Sequence, residues 1–481
     1  MRPPASVSGS SPGPGRSAAG RRSLRVPRTW GFRASDAILI VLGNGVVIIG
    51  MWLRHGQIAH LTSWAAVLTA AGQITALLGT YAALVQVVLM SRSPWLDDLF
   101  GIDRITHWHR WLGFATVDLI CAHVVFSTAG FAIADGRSFL GQTGVFLRTY
   151  PYMLMAYVAA GLFILIAVVS VRAARRRLSH ESWHFIHFYV YLAIALSFGH
   201  QLASGSDFLH DPVALGYWVS LYAVAVLLIL TFRVIIPTRM ALRHRLRVQS
   251  VVTESPEVVS VYITGRSLAD LPVRAGQFFR FRFLRRDLWW QGHPFSLSAA
   301  PNGEALRITV KRVGDFTTTL GGIRHGTRVV LEGPYGLFTT VRRHRPRALL
   351  IAGGIGITPL RALIEEMPPR RVKPAAARSG GTSFTLLYRA RSWEDVVFKS
   401  ELDELVANRG GELRYLVGRR GEDISREPLA PQALIAAVPD IRDRDIFVCG
   451  PKPMVEAVLI SLQTLNVPRR QIHVERFAFL T

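Results

Sequence analysis

Hydrophobic residues are distributed in three regimes along the chain. Up to Pro237 they form six unbroken stretches, at about 36–53, 62–90, 108–133, 152–171, 183–203 and 213–236, each bounded by polar or charged residues. Each meets the length of roughly 20 apolar residues that a spanning helix needs. Beyond Pro237 the pattern becomes alternating. Leu246 to Thr264, Gln277 to Phe283, Leu306 to Lys311 and Thr327 to Leu331 read as short strands parted by Gly and Pro turns, the rhythm of a small antiparallel barrel. In the third regime, Ala348 to Ala352, Phe384 to Tyr388, Glu412 to Val417 and Asp445 to Cys449 are β-rich runs. They alternate with helical segments around Leu360 to Glu366, Trp393 to Asn408 and Met454 to Leu465, which predicts a parallel α/β domain. The expected organisation is a basic, disordered tail over 1–34, a six-span bundle over 35–240, a barrel over 241–343 and a nucleotide-type domain over 344–481. Pro368 to Thr382, rich in Pro, Ala, Gly and Arg, reads as an inserted loop.

Charge orients the bundle. Arg16, Arg21, Arg22, Arg25, Arg28 and Arg33 precede the first span, Arg172, Arg175, Arg176 and Arg177 follow the fourth, and Arg239, Arg243, Arg245 and Arg247 follow the sixth. The loop from Ser204 to Asp211 has no Lys or Arg. Basic residues favour the cytoplasmic side, so the N-terminus and everything after Pro237 are expected in the cytoplasm, with the bundle in the cell membrane. The net charge of +24 would suggest nucleic acid in a soluble protein. Here much of it flanks spans, where Arg meets anionic headgroups, so the bilayer is the expected partner and nucleic acid is not. No apolar core follows the N-terminus closely enough for a signal peptide. Two cysteines, Cys121 and Cys449, exclude a disulfide framework and a cysteine-ligated cluster.

Histidine is then the candidate metal ligand. His109 and His123 lie in the third apolar stretch, His187 and His200 in the fifth. An ionisable side chain in hydrocarbon is costly, so such residues are read as ligands or proton carriers. His109 and His123 are 14 residues apart, close to four helical turns, which places both rings near one face and about 21 Å apart along the axis. His187 and His200 are 13 apart, which rotates the second ring off the face of the first unless the helix is bent or bulged. Pairing His109 with His187 and His123 with His200 gives two bis-imidazole sites at two depths, a ladder able to carry electrons across a membrane. His107 and His184 compete for the cytoplasmic-side positions.

The barrel region holds His293-Pro294-Phe295-Ser296-Leu297-Ser298, followed by Lys311-Arg312-Val313-Gly314-Asp315-Phe316-Thr317 and the turn Gly333-Pro334-Tyr335-Gly336. Ala352-Gly353-Gly354-Ile355-Gly356-Ile357-Thr358-Pro359 follows a strand and opens a helix, so its amides can cradle a pyrophosphate. Cys449-Gly450-Pro451 again follows a strand, and His473-Val474-Glu475-Arg476-Phe477 lies near the end. In this order and spacing, the motifs resemble the ferric reductase and NADPH oxidase-like flavocytochrome b family, with FAD and NAD(P) domains of ferredoxin–NADP reductase type. The resemblance covers nearly all of residues 36–477, including the family's ligand spacings of 14 and 13.

That resemblance implies a six-helix transmembrane haem bundle, an antiparallel FAD barrel and a parallel-sheet nucleotide domain. It implies that His293 and Pro294 lie near flavin phosphate or ribitol, that Phe295 packs on the isoalloxazine, and that Ser296, with Ser298 beside it, faces the ring's reactive edge. Lys311, Gly314 and Thr317 would approach the flavin pyrophosphate. Gly353, Gly354, Gly356, Thr358 and Pro359 would bind the nicotinamide dinucleotide, with Cys449, Gly450 and Pro451 beside the nicotinamide. Phe477 or Phe479 would cover the flavin. Arg389 and Arg391, or Arg419 and Arg420, stand where a 2′-phosphate wants a guanidinium fork, which favours NADPH over NADH.

The implied reaction takes hydride from cytoplasmic NAD(P)H to FAD, then single electrons to two b-type haems, His109 with His187 and His123 with His200, and on to an extracytoplasmic acceptor. Ferric chelate and dioxygen are the candidates. Superoxide-producing relatives carry a further histidine one turn beyond the outer third-helix ligand, and here that position is Ser127. The alternatives are a haem-free, membrane-anchored flavoreductase serving a protein partner, and a receptor or transporter with a degenerate reductase tail.

Overall fold

A computed structural model describes residues 33–54, 61–171, 180–205, 211–368, 383–418 and 427–476. Six helices are long and apolar enough to cross a membrane, and they coincide with the six apolar stretches. The first two are α1 (Ala34–Arg54) and α2 (Trp64–Leu89). A short helix, α3 (Pro94–Phe100), precedes the third span, α4 (Ile102–Ala134). Then come α5 (Phe139–Thr149), the fourth span α6 (Met153–Ser170), and a fifth span in two pieces, α7 (His180–His187) and α8 (Tyr189–Ser204). The sixth span joins α9 (Pro212–Ile229), a π turn (Leu230–Ile235) and α10 (Ile236–His244). The π turn sits just ahead of Pro237, which has no N–H to continue the α ladder.

Between spans there is no hydrophobic drive in lipid, so close packing has to come from small residues. The α2/α4 contact is made this way. A Cβ at Gly72 would collide with Ser127, one at Gly130 would come within 2.8 Å of the Thr69 backbone, and one at Gly79 would sit 3.2 Å from Leu119. Polar groups inside the bundle pair with one another: Gln86 donates to Thr116 Oγ1 at 2.6 Å, Gln201 to Thr80 Oγ1 at 2.6 Å, and Tyr222 to Gln201 Oε1 at 3.1 Å.

The barrel is two three-stranded antiparallel sheets. One contains β1 (Arg247–Ser255), β2 (Val258–Thr264) and β5 (Leu306–Lys311); the other contains β3 (Phe278–Phe283), β4 (His293–Ser296) and β6 (Val329–Tyr335). Bridges at Arg247/Arg328 and Leu297/Ile308 link them. The run Leu246 to Thr264 is therefore a hairpin, because Pro256 interrupts a single strand. Phe279, Phe281 and Phe283 alternate into the core, which leaves Phe278, Arg280 and Arg282 on the outer face. A short helix, α11 (Asp315–Thr319), follows β5.

In the last domain β7 (Arg347–Gly353), β8 (Phe384–Ala390), β9 (Glu412–Val417), β10 (Arg444–Gly450) and β11 (Ile472–Arg476) form a parallel sheet in the order β11-β10-β7-β8-β9. Helices α12 (Ile357–Glu366), α13 (Lys399–Arg409), α14 (Pro431–Ala437) and α15 (Lys452–Thr464) accompany it. The helix expected from Trp393 begins only at Lys399, since Phe398 takes a left-handed conformation (φ +63°) and stops propagation toward the N-terminus. Strand order reverses between β7 and β10, where a doubly wound sheet opens its ligand crevice.

Candidate functional site

The third and fifth spans bring His109 and His187 together. Their ring centroids are 6.0 Å apart and the planes are inclined at 72°. A metal–imidazole bond is about 2 Å long, so this gap accommodates one metal atom bound through both rings. The competitors point elsewhere: His107 is exposed with its ring edge-on to Trp111, and His184 is edge-on to Phe188. Trp183 stacks on His187 at 5.1 Å and limits its rotation. The outer pair, His123 and His200, lies within electrostatic reach of each other. His123 Nδ1 is 2.9 Å from the Gly72 carbonyl, which can only accept, so the proton is on Nδ1 and Nε2 keeps its lone pair. The Nδ1 atoms of His109 and His200 are buried with no hydrogen-bond partner among the described residues. Buried imidazole nitrogens without a protein partner fit a donor set built around a bound metal group.

The 13-residue spacing is accommodated by a break in the helix at Phe188, where Tyr191 N–H bonds back to Phe188 O, a tightened i to i−3 turn. Tighter winding adds rotation per residue, the sense in which 13 residues fall short of four turns.

In the barrel, β4 pairs with β3 so that Arg280 lies opposite Pro294 and Phe278 opposite Ser296 on one outer face. Pro294 is exposed and Ser296 buried. His293 stacks on Phe316 at 3.8 Å, and Phe295, half-buried, lies parallel to Phe316 at 6.2 Å. Gly314 is open to its surroundings, with no atom within 4 Å of a Cβ built there. Thr317 turns its hydroxyl to the amides of Val313 and Gly314, and so holds the loop shut on itself. Lys311 is ion-paired with Glu257 at 3.0 Å and Asp395 at 3.5 Å. Ser298 is fully buried, bonded to Thr309 at 2.7 Å and to Arg307, and belongs to the seam between barrel and nucleotide domain. In that seam Arg307 and Arg361 both pair with Glu401, and both donate to Ser298 O.

At the reversal point of the parallel sheet, the loop after β7 presses against the end of β10. A Cβ on Gly356 would strike Cys449 O, and one on Gly450 would come within 3.1 Å of Gly353. Only glycine allows this approach, which brings the two sequence motifs to one crevice. Thr358 is buried with its hydroxyl on Ile355 O at 3.0 Å, and Pro359 is buried behind it. Pro451 caps α15. Cys449 is fully buried, and burial, with the Glu475 carboxylate beside it, pushes its thiol well above the usual range. A thiol held neutral in this way is a poor nucleophile. Arg389 donates to the carbonyls of Ala390 and Leu416 at 2.9 and 2.8 Å, while Arg391 is exposed at the end of the same strand. Phe477, Phe479, Arg419, Arg420, Arg16 to Arg28 and Arg172 to Arg177 lie outside the described residues.

Residues 75–198 match the family described as "Ferric reductase like transmembrane component", residues 243–339 match "FAD-binding domain" and residues 350–459 match "Oxidoreductase NAD-binding domain". The chain belongs to the ferric reductase/NADPH oxidase-like family with ferredoxin–NADP reductase-type domains. This ferric reductase-like chain is 31% identical over 247 residues to the ferredoxin reductase component of 3-ketosteroid-9-alpha-monooxygenase from Mycobacterium tuberculosis, covering 49% of this chain and 65% of that protein. It is 30% identical over 198 residues to ferredoxin–NADP reductase B of Sorangium cellulosum, covering 38% of this chain and 77% of that protein. Among solved structures, the FAD/NAD-binding domain of nitric oxide dioxygenase from Vibrio cholerae is similar at 26% identity with a TM-score of 0.38, covering 49% of this chain and 99% of that one. The chain spans less than two thirds of the first curated relatives it matches, including 58% of a Vibrio cholerae flavohemoprotein.

All four ladder histidines but His200 fall inside the matched transmembrane segment of this ferric reductase-like protein. Sequence reasoning missed Gly72 and Trp183, which orient the imidazoles, and read Ser127 only as the place of an absent histidine, although its hydroxyl lies 3.2 Å from His123 Nδ1. Gly72 and Gly79, seven apart on α2, were the available signal, since small residues on one face of a span mark close helix contact.

Proposed function

We propose that the chain is a cell-membrane oxidoreductase that moves electrons from cytoplasmic NAD(P)H through FAD and two b-type haems to an extracytoplasmic acceptor, ferric chelate or dioxygen. The observation that carries this reading is the facing of His109 and His187 at 6.0 Å, with a second histidine pair nearer the other end of the same two spans. His109, His187, His123 and His200 would hold the haems as neutral axial ligands. Bound in their sites, flavin supplies the exchange of a two-electron hydride for single electrons, and haem supplies one-electron carriage.

The protein's own contributions are orientation and exclusion. Gly72 fixes the His123 tautomer, and Trp183 fixes the plane of His187. Phe295 would pack on the flavin ring, with Ser296 toward its reactive edge and His293 and Lys311 toward its phosphates. The glycine loop at Gly353, Gly354 and Gly356 lets the dinucleotide pyrophosphate approach backbone amides, and Cys449 presents a small uncharged group beside the nicotinamide.

The test is haem and flavin content of the purified full-length chain. Two b-type haems and one FAD per chain are expected, with one haem lost on His123→Ala or His200→Ala. Retention of both haems in those variants overturns the ladder, and a parent protein that purifies with FAD but without haem is the haem-free anchor. NADPH oxidation in proteoliposomes with ferric citrate or oxygen, with and without superoxide dismutase, identifies the acceptor.

A further inference from the structure

Four arginines from three parts of the chain converge where the bundle meets the barrel. Arg92 follows the end of α2, Arg233 lies in the π turn of the sixth span, and Arg280 and Arg282 project from the outer face of β3. Strand β6, paired with β3, packs against both α3 and α10, so this face of the barrel is held at the membrane side of the molecule. The guanidinium groups are close enough to act on one another: Arg280 on Arg92, Arg233 and Arg282, and Arg92 on Arg233.

One carboxylate answers them. Glu332 pairs with Arg92 and, at 3.5 Å, with Arg282, and among the described residues no other carboxylate forms an ion pair with the four. Four cations and one anion leave a formal charge of three. Arg92 side chain is only 22% exposed, and Arg282 Nε is buried without a hydrogen-bond partner. Burial, reinforced by the neighbouring guanidinium groups, pulls Arg280 down to about 10. Arg92 holds a left-handed backbone (φ +62°), a strained conformation for a residue with a side chain. Crowded like charges persist at such a place when a counter-charge completes them.

We propose that these arginines bind the phosphate of an anionic lipid headgroup from the leaflet on which the barrel docks. Arg92 stands three residues beyond the last residue of the second span, and Arg233 lies 21 residues past Pro212 in the sixth, about 30 Å along its axis and so one hydrocarbon thickness from its start, which puts both at headgroup depth. Guanidinium forks match phosphate oxygens, and basic residues beside spans draw anionic lipid. The lipid would act as a third component of the bundle–barrel contact. This needs from the electron-transfer reading only that the six helices lie in a bilayer.

The test uses the full chain, loaded with its cofactors, in nanodiscs of phosphatidylcholine alone or with an equal share of phosphatidylglycerol. Thermal midpoint is recorded, and lipid retained after detergent extraction is counted by mass spectrometry. Retained phosphatidylglycerol and a raised midpoint are expected only in the mixed discs. Arg92→Gln and Arg282→Gln should each weaken retention about fivefold. Arg285→Gln, which removes a charge from an exposed pair with Asp287 elsewhere on the barrel, should not. If Arg92→Gln does not take up cofactors, Arg233→Gln replaces it. Equal retention of phosphatidylcholine, equal loss in Arg285→Gln, or the same midpoint rise from inorganic phosphate in phosphatidylcholine discs overturns the proposal, the last assigning the site to a free anion.

Discussion

His123 donates its Nδ1 proton to the carbonyl of Gly72 at 2.9 Å, across the closest helix contact in the bundle. One glycine thereby does two things: its missing Cβ admits Ser127 and its carbonyl sets a tautomer. Ser127 Oγ, 3.2 Å from the same nitrogen, lies between the two effects.

On the proposed haem ladder, Gly72→Ala should therefore damage the outer histidine pair selectively. A Cβ there would collide with Ser127 Oγ and come within 2.9 Å of the Ser127 backbone nitrogen, which cannot swing away. The helices must separate, at a cost of about 1–3 kcal/mol, and the hydrogen bond to His123 lengthens. Of the two haems proposed, the one at His123 and His200 should be lost or shifted in its redox midpoint, while that at His109 and His187 stays intact. Unaltered spectra and midpoints for both haems would count against the role given to Gly72.

The six spans were legible because an apolar run of span length has few other physical uses, and the parallel α/β class of the last domain followed from its alternation of strands and helices, though the order of its strands did not. The partners of the histidines were not legible. Nothing in the spacing of His187 and His200 marks Phe188 as the place where the helix breaks, since that depends on how α7 meets α4. The same holds for Lys311 and Arg389. Their positions suit anions, yet carboxylates from Glu257 and Asp395 reach Lys311 from segments distant in sequence, and the Leu416 carbonyl reaches Arg389 across a strand pair, beside that of the adjacent Ala390. The docking of α3 on the barrel was equally hidden, because a lone aspartate and a glycine backbone amide carry no sign of their contact until the fold brings them together.

That docking rests on Asp97, a buried carboxylate that accepts the Gly336 N–H at 3.0 Å. Asp97→Ala leaves the amide without this acceptor and removes a charge-assisted bond of about 1.5–3 kcal/mol. NADPH-driven reduction of ferricyanide, which can draw on the flavin domain directly, should persist. Haem reduction by NADPH, measured by stopped flow, should slow by about tenfold. Equal slowing of both activities would mean that Asp97 supports folding rather than docking.

Coenzyme selectivity separates Arg389 from Arg391. Arg389 ties the ends of β8 and β9 through two carbonyls, whereas Arg391 is exposed just past the end of β8. Arg391→Ala should raise KM for NADPH by about tenfold and leave KM for NADH unchanged, the loss expected for one charge-assisted contact to a phosphate. Arg389→Ala should lower the thermal midpoint without changing the ratio of the two KM values. The reverse assignment of effects would restore Arg389 as the phosphate ligand.

Acid stability of the nucleotide domain should depend on Asp440. Its carboxylate receives Arg347 Nη1 at 2.9 Å and Arg444 Nε at 2.8 Å, joining the starts of β7 and β10. Burial alone would raise its pKa, but the hydrogen bonds from Arg444 and Arg347 outweigh it and hold the carboxyl below the ordinary 3.8. A group with a depressed folded-state pKa stabilises the fold fully above its unfolded value and loses that contribution as pH falls through the folded value. Asp440→Asn should therefore be less stable than the parent by about 1 kcal/mol near neutrality, a modest figure because the pair is partly solvated. The difference in thermal midpoint between the two proteins should shrink as pH falls below 3.8. A gap that stays constant through that range would show that the two arginines hold the strands by packing, with the charge on Asp440 contributing nothing.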